Sequence, residues 1–216
     1  MTHEIIYTDR LMLRAFERED TDALFEILSD EKSNRFLPWF TAKTTEDAQR
    51  FFETRCKAVY ENSDGLCYAI CQKDLGKPIG YVTVKGTAPF DLGYGLASRY
   101  WNNGYATEAC KAVIRKCGSD GMDYLTATHD VLNPASGRVM QKCGMRYIHS
   151  YREHWMPKDI DVVFPSLPIR SQKRSSRMRI LSQRRTFAFY RGVGRYPPSS
   201  GLTVFVLHRA QKNDMR

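Results

Sequence analysis

The sequence predicts an α/β domain of the α+β kind, in which helices flank a mostly antiparallel sheet with one local parallel pair of strands. Two observations indicate this class. Over the first 164 residues, segments whose apolar residues alternate, as in strands, are interspersed with segments whose apolar residues recur at helical spacing. The predicted order of elements is β-α-α-β-β-β-α-β-α-β, so that three strands follow one another before helix and strand alternate.

The residue pattern of the N-terminal part predicts one strand, two helices and a loop between the helices. Residues 10–14 (RLMLR) alternate as a short strand does. Helical spacing predicts a helix over residues 20–29, whose first residue, an aspartate, is a plausible N-cap. A second helix is predicted over residues 44–60, which open with a Thr-x-x-Asp capping-box pattern. Residues 36–40 (FLPWF), between the helices, form an aromatic loop that contains a proline.

The residue pattern in the rest of the domain predicts five strands and two helices. A glycine-containing turn precedes the longer helix, and Gly144 ends the shorter one. The predicted strands cover residues 67–72, 78–84, 90–97, 123–129 and 147–153. The predicted helices cover residues 106–118 and 134–144.

The net charge of +9 is concentrated at the C-terminus. Residues 165–216 hold 12 of the 33 lysines and arginines but only one of the 24 acidic residues, Asp214. The first 164 residues therefore carry 21 basic and 23 acidic side chains, and this near neutrality says little about a partner. Because residues 165–216 are rich in Ser, Pro and Arg and mostly lack periodicity, they are predicted to form a basic, largely disordered tail.

Six cysteines, none of them in a CxxC pair, stand where apolar residues of helices and strands are expected: Cys56, Cys67, Cys71, Cys110, Cys117 and Cys143. This pattern favours buried free thiols in a reducing compartment over disulfides or a zinc site. The N-terminus lacks the pattern of a secretory signal, and no apolar run reaches the roughly 18 residues of a membrane-spanning helix. A cytoplasmic protein that does not cross a membrane is therefore expected.

A glycine turn, Trp101-Asn102-Asn103-Gly104-Tyr105-Ala106, joins a predicted strand to a predicted helix. Such a turn can hold a phosphate, because first-turn amides lack intrahelical acceptors, the helix dipole adds positive charge and glycine allows close approach. Asn102 and Asn103 tolerate the left-handed backbone conformations that suit an anion-binding nest. Taken alone, the pattern is more often an ordinary turn.

Three motifs in order resemble those of one family. Residues 92–114 (LGYGLASRYWNNGYATEACKAVI) resemble the acetyl-CoA-binding motif of GNAT acetyltransferases, in the form typical of the RimJ/RimL-like branch. Residues 8–14 (TDRLMLR) match the T-x-R-L-x-L-R start of that branch. Its N-x-x-S and K-x-G-F/M patterns are matched by Asn133, Ser136, Lys142, Gly144 and Met145.

The resemblance implies a GNAT-type sheet whose strands splay at the acetyl-CoA site. The strand near residues 91–97 would pair with the pantetheine arm, and an amide of that strand would face the thioester oxygen. Backbone amides would hold the pyrophosphate even though Trp101 stands where the motif has Gln or Arg. Asn133 would hold a pantetheine amide or merely turn the chain. The implied coenzyme-binding residues are Leu96, Trp101, Asn102, Asn103, Gly104, Tyr105, Ala106, Thr107, Asn133, Ser136 and Lys142. Candidates for the 3′-phosphate, or else members of a solvated helix face, are Lys111, Arg115, Arg138 and Lys142.

The resemblance also implies direct acetyl transfer to a primary amine in a ternary complex, which needs a base for the amine and an acid for the thiolate. Many GNAT enzymes use a tyrosine as the acid, but Met140 stands at that position. In the RimJ/RimL-like branch the serine of N-x-x-S lies near the sulfur. Ser136 is therefore the candidate acid, or else caps its helix. Glu153 is the candidate base, with His149, Asp91 or a chain of waters as alternatives.

The resemblance suggests a protein N-terminal amine as acceptor, whereas some relatives modify small molecules. Phe36, Trp39 and Phe40 lie in the loop that covers the acceptor in such folds, and either line its site or fasten the N-terminal helices to the sheet. Two other hypotheses stay open. One is a small-molecule (polyamine or aminoglycoside) N-acetyltransferase, and the other is a noncatalytic acyl-CoA-binding or RNA-binding protein whose basic tail contacts nucleic acid.

The family's closing strand is expected after residues 162–164, where the sequence instead continues into the basic tail. The prediction is therefore a GNAT domain over residues 1–164 with an incomplete closing strand, followed by a tail over residues 165–216. That tail is either translated from a shifted frame or a natural basic extension.

Overall fold

The computed structural model describes residues 3–155, 158, 160–166 and 169–170 of the chain. These residues all lie in a first unit, Met1–Arg174, and the second unit, Ser175–Arg216, lies outside them. Of the predicted tail, only residues 165–166 and 169–170 are described. Its disorder and its origin therefore stay predictions.

The described helices follow the predicted periodicity closely. They are α1 (Thr21–Ser29), α2 (Glu31–Asn34), α3 (Thr45–Phe51), α4 (Ala58–Asn62), α5 (Tyr105–Ser119) and α6 (Pro134–Lys142). A π-helical segment, Phe52–Lys57, joins α3 to α4, so that these three form the one helix predicted over residues 44–60. The capping box at its start is confirmed, because Thr44 Oγ1 accepts from the Asp47 amide and Asp47 Oδ2 accepts from the Thr44 amide.

Asp20 occupies the N-cap position of α1 but makes no side-chain cap hydrogen bond there. Its carboxylate binds the Arg14 guanidinium through two bonds of 2.6 and 2.8 Å instead. This pair also raises the pKa of Arg14, mainly through the hydrogen bonding to Asp20. Asp20 therefore stands at the predicted position, but its side chain does not cap the helix. A nearby cation offers the carboxylate a stronger, charge-assisted hydrogen bond.

The described strands are β1 (Ile6–Tyr7), β2 (Leu11–Arg14), β3 (Gly65–Gln72), β4 (Pro78–Lys85), β5 (Leu92–Leu96), β6 (Tyr124–Leu125), β7 (His149–Trp155), β8 (Ile160–Ser166) and β9 (Ile169–Arg170). Strands β1 to β5 form one antiparallel sheet in chain order. One isolated parallel bridge joins Asp91, just before β5, to Thr126, just after β6. The mostly antiparallel sheet with a local parallel pair is thus confirmed.

Helices cover both faces of this sheet. The even-numbered residues 66, 68 and 70 of β3 enter the apolar core that contains residues of α5 and α6. The odd-numbered residues 67, 69 and 71 enter a second core with residues of α1 and α3. Successive side chains of a strand point to opposite faces, so a strand that lies between two helical layers is apolar throughout. The six cysteines are free and buried, as the sequence predicts.

Two strands lie at the end of the described part of the chain, and the predicted boundary at residue 164 stays a prediction. Strand β8 pairs antiparallel with β7 from Ile160 to Ser166, and β9 pairs with β6. Pro165, where the composition changes, lies inside β8. A proline is compatible with a strand where its missing N–H faces away from the ladder. Among the described residues, no helix is long and apolar enough to cross a membrane.

Candidate active site

The turn between β5 and α5 presents a helix N-terminus without a side-chain cap. Gly104 is the N-cap residue of α5, with φ +80° and ψ −1°, and no side chain caps the helix there. Asn102 is also left-handed, with φ +62°. The side-chain amide of Asn103 turns back to donate to the carbonyls of Tyr100 (3.3 Å) and Trp101 (2.9 Å). The first amides of α5 therefore point out of the helix without a side-chain acceptor, as in sites that bind anions.

The N-terminal motif holds this turn in place. Arg10 donates from Nε to Glu108 Oε2 (2.8 Å) and from Nη1 to the Asn103 carbonyl (2.9 Å). Its guanidinium also lies 4.6 Å from the centre of the Tyr105 ring. Thr8 Oγ1 donates to Glu108 Oε1 at 2.6 Å. We call this group the Arg10–Glu108 clasp. It joins the two sequence motifs, residues 8–14 and 92–114, into one structural unit.

The clasp keeps Glu108 ionised. Burial opposes ionisation of this carboxyl, but the hydrogen bonds from Thr8 and Arg10 outweigh it, and the pKa of Glu108 is lowered. The carboxylate also lies in the first turn of α5, where the helix dipole favours a negative charge.

A pocket of about 640 Å³ opens beside the same turn. Gly104 and Thr107 line it, together with three cations that the sequence suggests for a phosphate: Lys111, Arg115 and Lys142. The fourth, Arg138, is exposed on α6 and does not line the pocket. The wall is completed by Tyr7 of β1, by Thr8 and Asp9 of the following loop, and by Glu108 of α5, so that two carboxylates lie beside the three cations. The pocket thus joins an uncapped helix end to a group of positive charges.

Strand β5 directs half of its main-chain groups away from β4. The Lys85 amide donates to the Asp91 carbonyl, and the Ala97 amide donates to the Ile79 carbonyl, both at 3.0 Å. These bonds place the odd-numbered residues of β5 in the ladder with β4. Because antiparallel pairing alternates, the even-numbered residues, including Leu96, direct their N–H and C=O groups to the opposite edge.

That opposite edge is paired only where β5 begins. The Leu92 amide donates to the Thr126 carbonyl at 2.7 Å, next to the parallel bridge between Asp91 and Thr126. Beyond Thr126 no further pairing with β5 occurs among the described residues. The two strands therefore diverge, as the sequence predicts, and the amide of Leu96 faces the gap between them.

Trp101 links the end of β5 to the glycine turn. Its indole Nε1 donates to the Leu96 carbonyl at 3.0 Å, while 42% of the residue's surface stays exposed. The carbonyl of Leu96 is therefore occupied, and its amide is the group that remains directed into the gap.

Ser136 and Asn133 lie at the start of α6, where a side chain of β5 reaches Ser136. Asn133 Oδ1 accepts from the Ser136 amide at 3.2 Å, so Asn133, rather than Ser136, caps the helix. Ser136 Oγ lies 2.8 Å from the hydroxyl of Tyr94 on β5, which also donates to the Ser136 carbonyl at 2.8 Å. Met140 is 2% exposed in the core and offers no polar group. Sequence reasoning missed Tyr94, because no spacing rule connects residues that are 42 positions apart.

The candidate bases differ in their surroundings. Asp91 is half-buried, and its pKa is raised by burial and by the charge of Glu153, against the opposing effect of Lys85. Glu153 itself is exposed on β7. The pKa of Tyr151 is raised by burial and then by Glu153, with a smaller effect of Asp91. We call these three residues the Asp91 cluster. Nδ1 of His149 is buried without a hydrogen-bond partner among the described residues.

The aromatic loop is divided between packing and exposure. Trp39 donates from Nε1 to Asn34 Oδ1 (3.3 Å), and its ring lies 5.7 Å from that of Phe51. Trp39 therefore fastens the loop to α3. Phe36 is half-buried, whereas Phe40 is 63% exposed. Phe40 therefore offers the larger exposed ring of the two.

The fifth strand of the sheet diverges from its parallel neighbour next to an uncapped helix N-terminus, so the site offers main-chain groups to an extended ligand that carries a phosphate group. Residues 10–146 match the family model described as acetyltransferase (GNAT) domain, and the chain belongs to that family. It is a GNAT N-acetyltransferase, and acetyl-CoA is its co-substrate. The left-handed Gly104, the uncapped amides of α5 and the cationic pocket all fit a diphosphate carrying a further phosphate.

Several known proteins are similar to this chain over much of its length. The "uncharacterized N-acetyltransferase YnaD" of Bacillus subtilis (strain 168) is 30% identical over 145 residues, which are 65% of this chain and 82% of that protein. A solved acetyltransferase from Salmonella typhimurium, described as modifying the N-terminal serine of ribosomal protein L7/L12, superposes with a TM-score of 0.68 at 16% identity, over 77% of this chain and 99% of its own. The microcin C7 self-immunity acetyltransferase MccE, solved with acetyl-CoA and AMP, superposes with a TM-score of 0.67 at 18% identity, over 76% and 93%. These two likenesses show the fold.

Proposed function

We propose that this enzyme transfers the acetyl group of acetyl-CoA to the free N-terminal amine of a protein or peptide, by direct attack in a ternary complex. The observation that carries the proposal is the uncapped start of α5 at Gly104, which follows directly on the divergent edge of β5. A diphosphate at the helix end and an extended arm along β5 would satisfy both sets of main-chain groups at once.

In the proposed complex the amides of residues 105–107 hold the diphosphate, and Lys111, Arg115 and Lys142 bind the 3′-phosphate. The arm pairs with the even-numbered residues of β5, in place of the neighbouring strand. The Leu96 amide then donates to the thioester oxygen and stabilises the negative charge that develops there, which is commonly the largest single contribution to such catalysis.

Ser136 is the proposed acid for the departing thiolate, supported by its place at the start of α6 beside β5. The Asp91 cluster is the proposed base. A carboxylate accepts a proton from an ammonium group better when its own pKa is raised, and Asp91 meets this requirement through burial and the charge of Glu153. Glu153, which the sequence suggests as the base, would pass the proton to solvent from its exposed position.

Three observations support an N-terminal amine as the acceptor. The RimJ/RimL-like motifs are shared across the chain, and a structural neighbour is described as acting on the N-terminal serine of a ribosomal protein. In addition, Phe36 and Phe40 offer apolar surface next to the acceptor loop, against which the side chains of a peptide would pack.

A panel of acceptors tests the proposal with the full chain. Short peptides that begin with Ser, Ala or Met are compared with the same peptides carrying a blocked N-terminus and an internal lysine, and with spermidine and an aminoglycoside. Release of the coenzyme thiol gives the rate, and mass spectrometry locates the acetyl group. We expect acetylation of the free N-terminus only.

Two results would contradict this assignment. A kcat/KM for spermidine or the aminoglycoside that exceeds every peptide by about tenfold, which corresponds to about 1.4 kcal/mol, would make the enzyme a small-molecule acetyltransferase. Binding of acetyl-CoA in a calorimeter without transfer to any amine would support a noncatalytic protein.

A further inference from the structure

One contact between β5 and the start of α6 has no role in the reaction outlined so far. The hydroxyl of Tyr94, on β5, reaches both the carbonyl and the hydroxyl oxygen of Ser136, on α6, at 2.8 Å each. Tyr94 is an even-numbered residue of β5, so its main chain faces the gap while its side chain packs against the core that holds α5 and α6. Its phenol therefore lies beside the proposed acid.

The equal distances have a chemical consequence. A phenol carries a single hydrogen, and here it has two acceptors at the same distance. When that hydrogen points to the Ser136 carbonyl, the serine hydroxyl can donate to the phenol oxygen. When it points to Ser136 Oγ instead, the serine hydrogen is released for another acceptor. Rotation of one O–H bond thus switches the direction in which the serine donates.

We infer that Tyr94 is a positioning residue that turns the Ser136 hydroxyl towards the departing sulfur and stabilises Ser136 Oγ while its proton moves. This inference rests on the proposed function, in which Ser136 is the acid.

Each proton that moves in this step has a donor and an acceptor. As the bond between the acetyl carbon and sulfur breaks, its electron pair goes to sulfur, and the proton of Ser136 Oγ passes to sulfur to give the coenzyme thiol. Ser136 Oγ takes up the proton that the newly bonded nitrogen loses when the amide forms. Tyr94 keeps its proton throughout and donates a hydrogen bond to Ser136 Oγ when that oxygen carries the most negative charge.

The surroundings of Tyr94 suit a donor that stays protonated. Burial is the main cause that raises the pKa of this phenol far above its ordinary value, and the hydrogen bond with Ser136 only partly opposes it. The phenol is therefore neutral at every pH at which an amine acceptor could be acetylated.

Tyr94→Phe removes only the hydroxyl group, and the chain offers a matched control. Tyr147 also pairs its hydroxyl with a serine, Ser150 Oγ at 3.1 Å, but on an exposed surface that no proposed role uses. With the peptide that is acetylated fastest, Tyr94→Phe should lower kcat by about tenfold and change KM for acetyl-CoA by less than about twofold. Tyr147→Phe should leave both unchanged.

A double-mutant cycle separates positioning from a merely structural role. If Tyr94 acts through Ser136, then Tyr94→Phe should have no further effect on kcat in a Ser136→Ala background. An equal loss in both backgrounds would overturn the inference. A loss in Ser136→Ala without any loss in Tyr94→Phe would overturn it as well, while leaving the proposed acid in place.

A binding experiment keeps the test independent of the acceptor. The ultraviolet absorbance of the thiolate follows the titration of free coenzyme A bound to the enzyme. Because the hydroxyl pair would stabilise a bound thiolate, we expect the pKa of that thiol to rise by about one unit in both Tyr94→Phe and Ser136→Ala. An unchanged thiol pKa in Tyr94→Phe would refute the role of Tyr94 even if no amine were acetylated. Absence of transfer to every amine, together with the expected shift, would count only against the proposed function.

Discussion

Replacement of Gly104 by alanine tests the coenzyme site most directly. The backbone there has φ +80°, a conformation that costs an L-residue roughly 1–2 kcal/mol. A Cβ atom would have Arg10 Nη2 as its nearest neighbour, at an ordinary contact distance of 3.5 Å, so no clash adds to that cost. The free energy of unfolding should fall by about 1–2 kcal/mol, and the Tm by roughly 2–8 °C. The added methyl group also stands beside the first-turn amides that a diphosphate must approach. Since hydrogen bonds to a charged group contribute about 1.5–3 kcal/mol each, loss of one should raise the Kd for acetyl-CoA at least about tenfold.

Gly121→Ala is the matched control for that experiment. Gly121 follows α5 at its far end, with φ +93° and no heavy atom within 4 Å of an added Cβ. It should therefore lose a similar free energy of unfolding and bind acetyl-CoA as the unchanged chain does. Thermal unfolding followed by circular dichroism gives the Tm, and isothermal titration calorimetry gives the Kd. Equal affinities of the Gly104→Ala and Gly121→Ala variants for acetyl-CoA would show that the coenzyme does not approach this turn.

Four further outcomes are expected. Glu108→Gln should destabilise the protein by about 1 kcal/mol at pH 7. Because the folded pKa of Glu108 is lowered, its contribution is present above the ordinary value of 4.5 and is lost as the pH falls through the folded value, so the difference in urea unfolding between variant and parent should shrink as the pH is lowered below 4.5. Asp91→Asn should increase the free energy of unfolding at neutral pH and lower the acetylation rate. The raised folded pKa of Asp91 means that ionisation of this carboxyl opposes folding at neutral pH. A lower free energy of unfolding in urea would contradict this account. A chromogenic disulfide reagent should find all six buried thiols only after denaturation, and rapid reaction in the native state would contradict their burial. Finally, a chain ending at residue 164 should have a lower Tm than one ending at residue 170, because only the longer one keeps β9 paired with β6; equal Tm values would place the boundary at 164.

Local patterns account for most of what the sequence predicted correctly. The glycine turn was recognisable because it needs a residue with a left-handed backbone directly before a helix, and Gly104 supplies that residue at the start of the helical pattern. The helix over residues 44–60 was recognisable for the same reason, through its capping box and apolar stripe. Periodicity and capping act over a few residues, so the sequence displays them directly.

Contacts between segments that are far apart in the chain could not be predicted from such local patterns. The sequence showed residues 8–14 and 92–114 as two separate resemblances, yet Arg10 and Glu108 bind each other across 98 positions. Likewise, the sequence leaves two roles open for the indole of Trp39, in the substrate site or in the core. Its hydrogen bond to Asn34 and its contact with Phe51 show that it packs in the core. A side chain's partner depends on topology, which the pattern of a single segment does not contain.

The Arg10–Glu108 clasp shows why an acidic residue can stand next to a phosphate site. Glu108 lies in the first turn of α5, where its charge favours the helix but would repel a diphosphate held by the same amides. Arg10 pairs with that carboxylate and also holds the Asn103 carbonyl, so that the clasp is neutral as a whole and fixes the turn from outside. The positive charge available to the coenzyme must then come from the pocket, where Lys111, Arg115 and Lys142 lie without belonging to the clasp. The clasp therefore shapes the turn, with Thr8 and Glu108 also in the pocket wall, while Lys111, Arg115 and Lys142 supply the charge that attracts an anion to it.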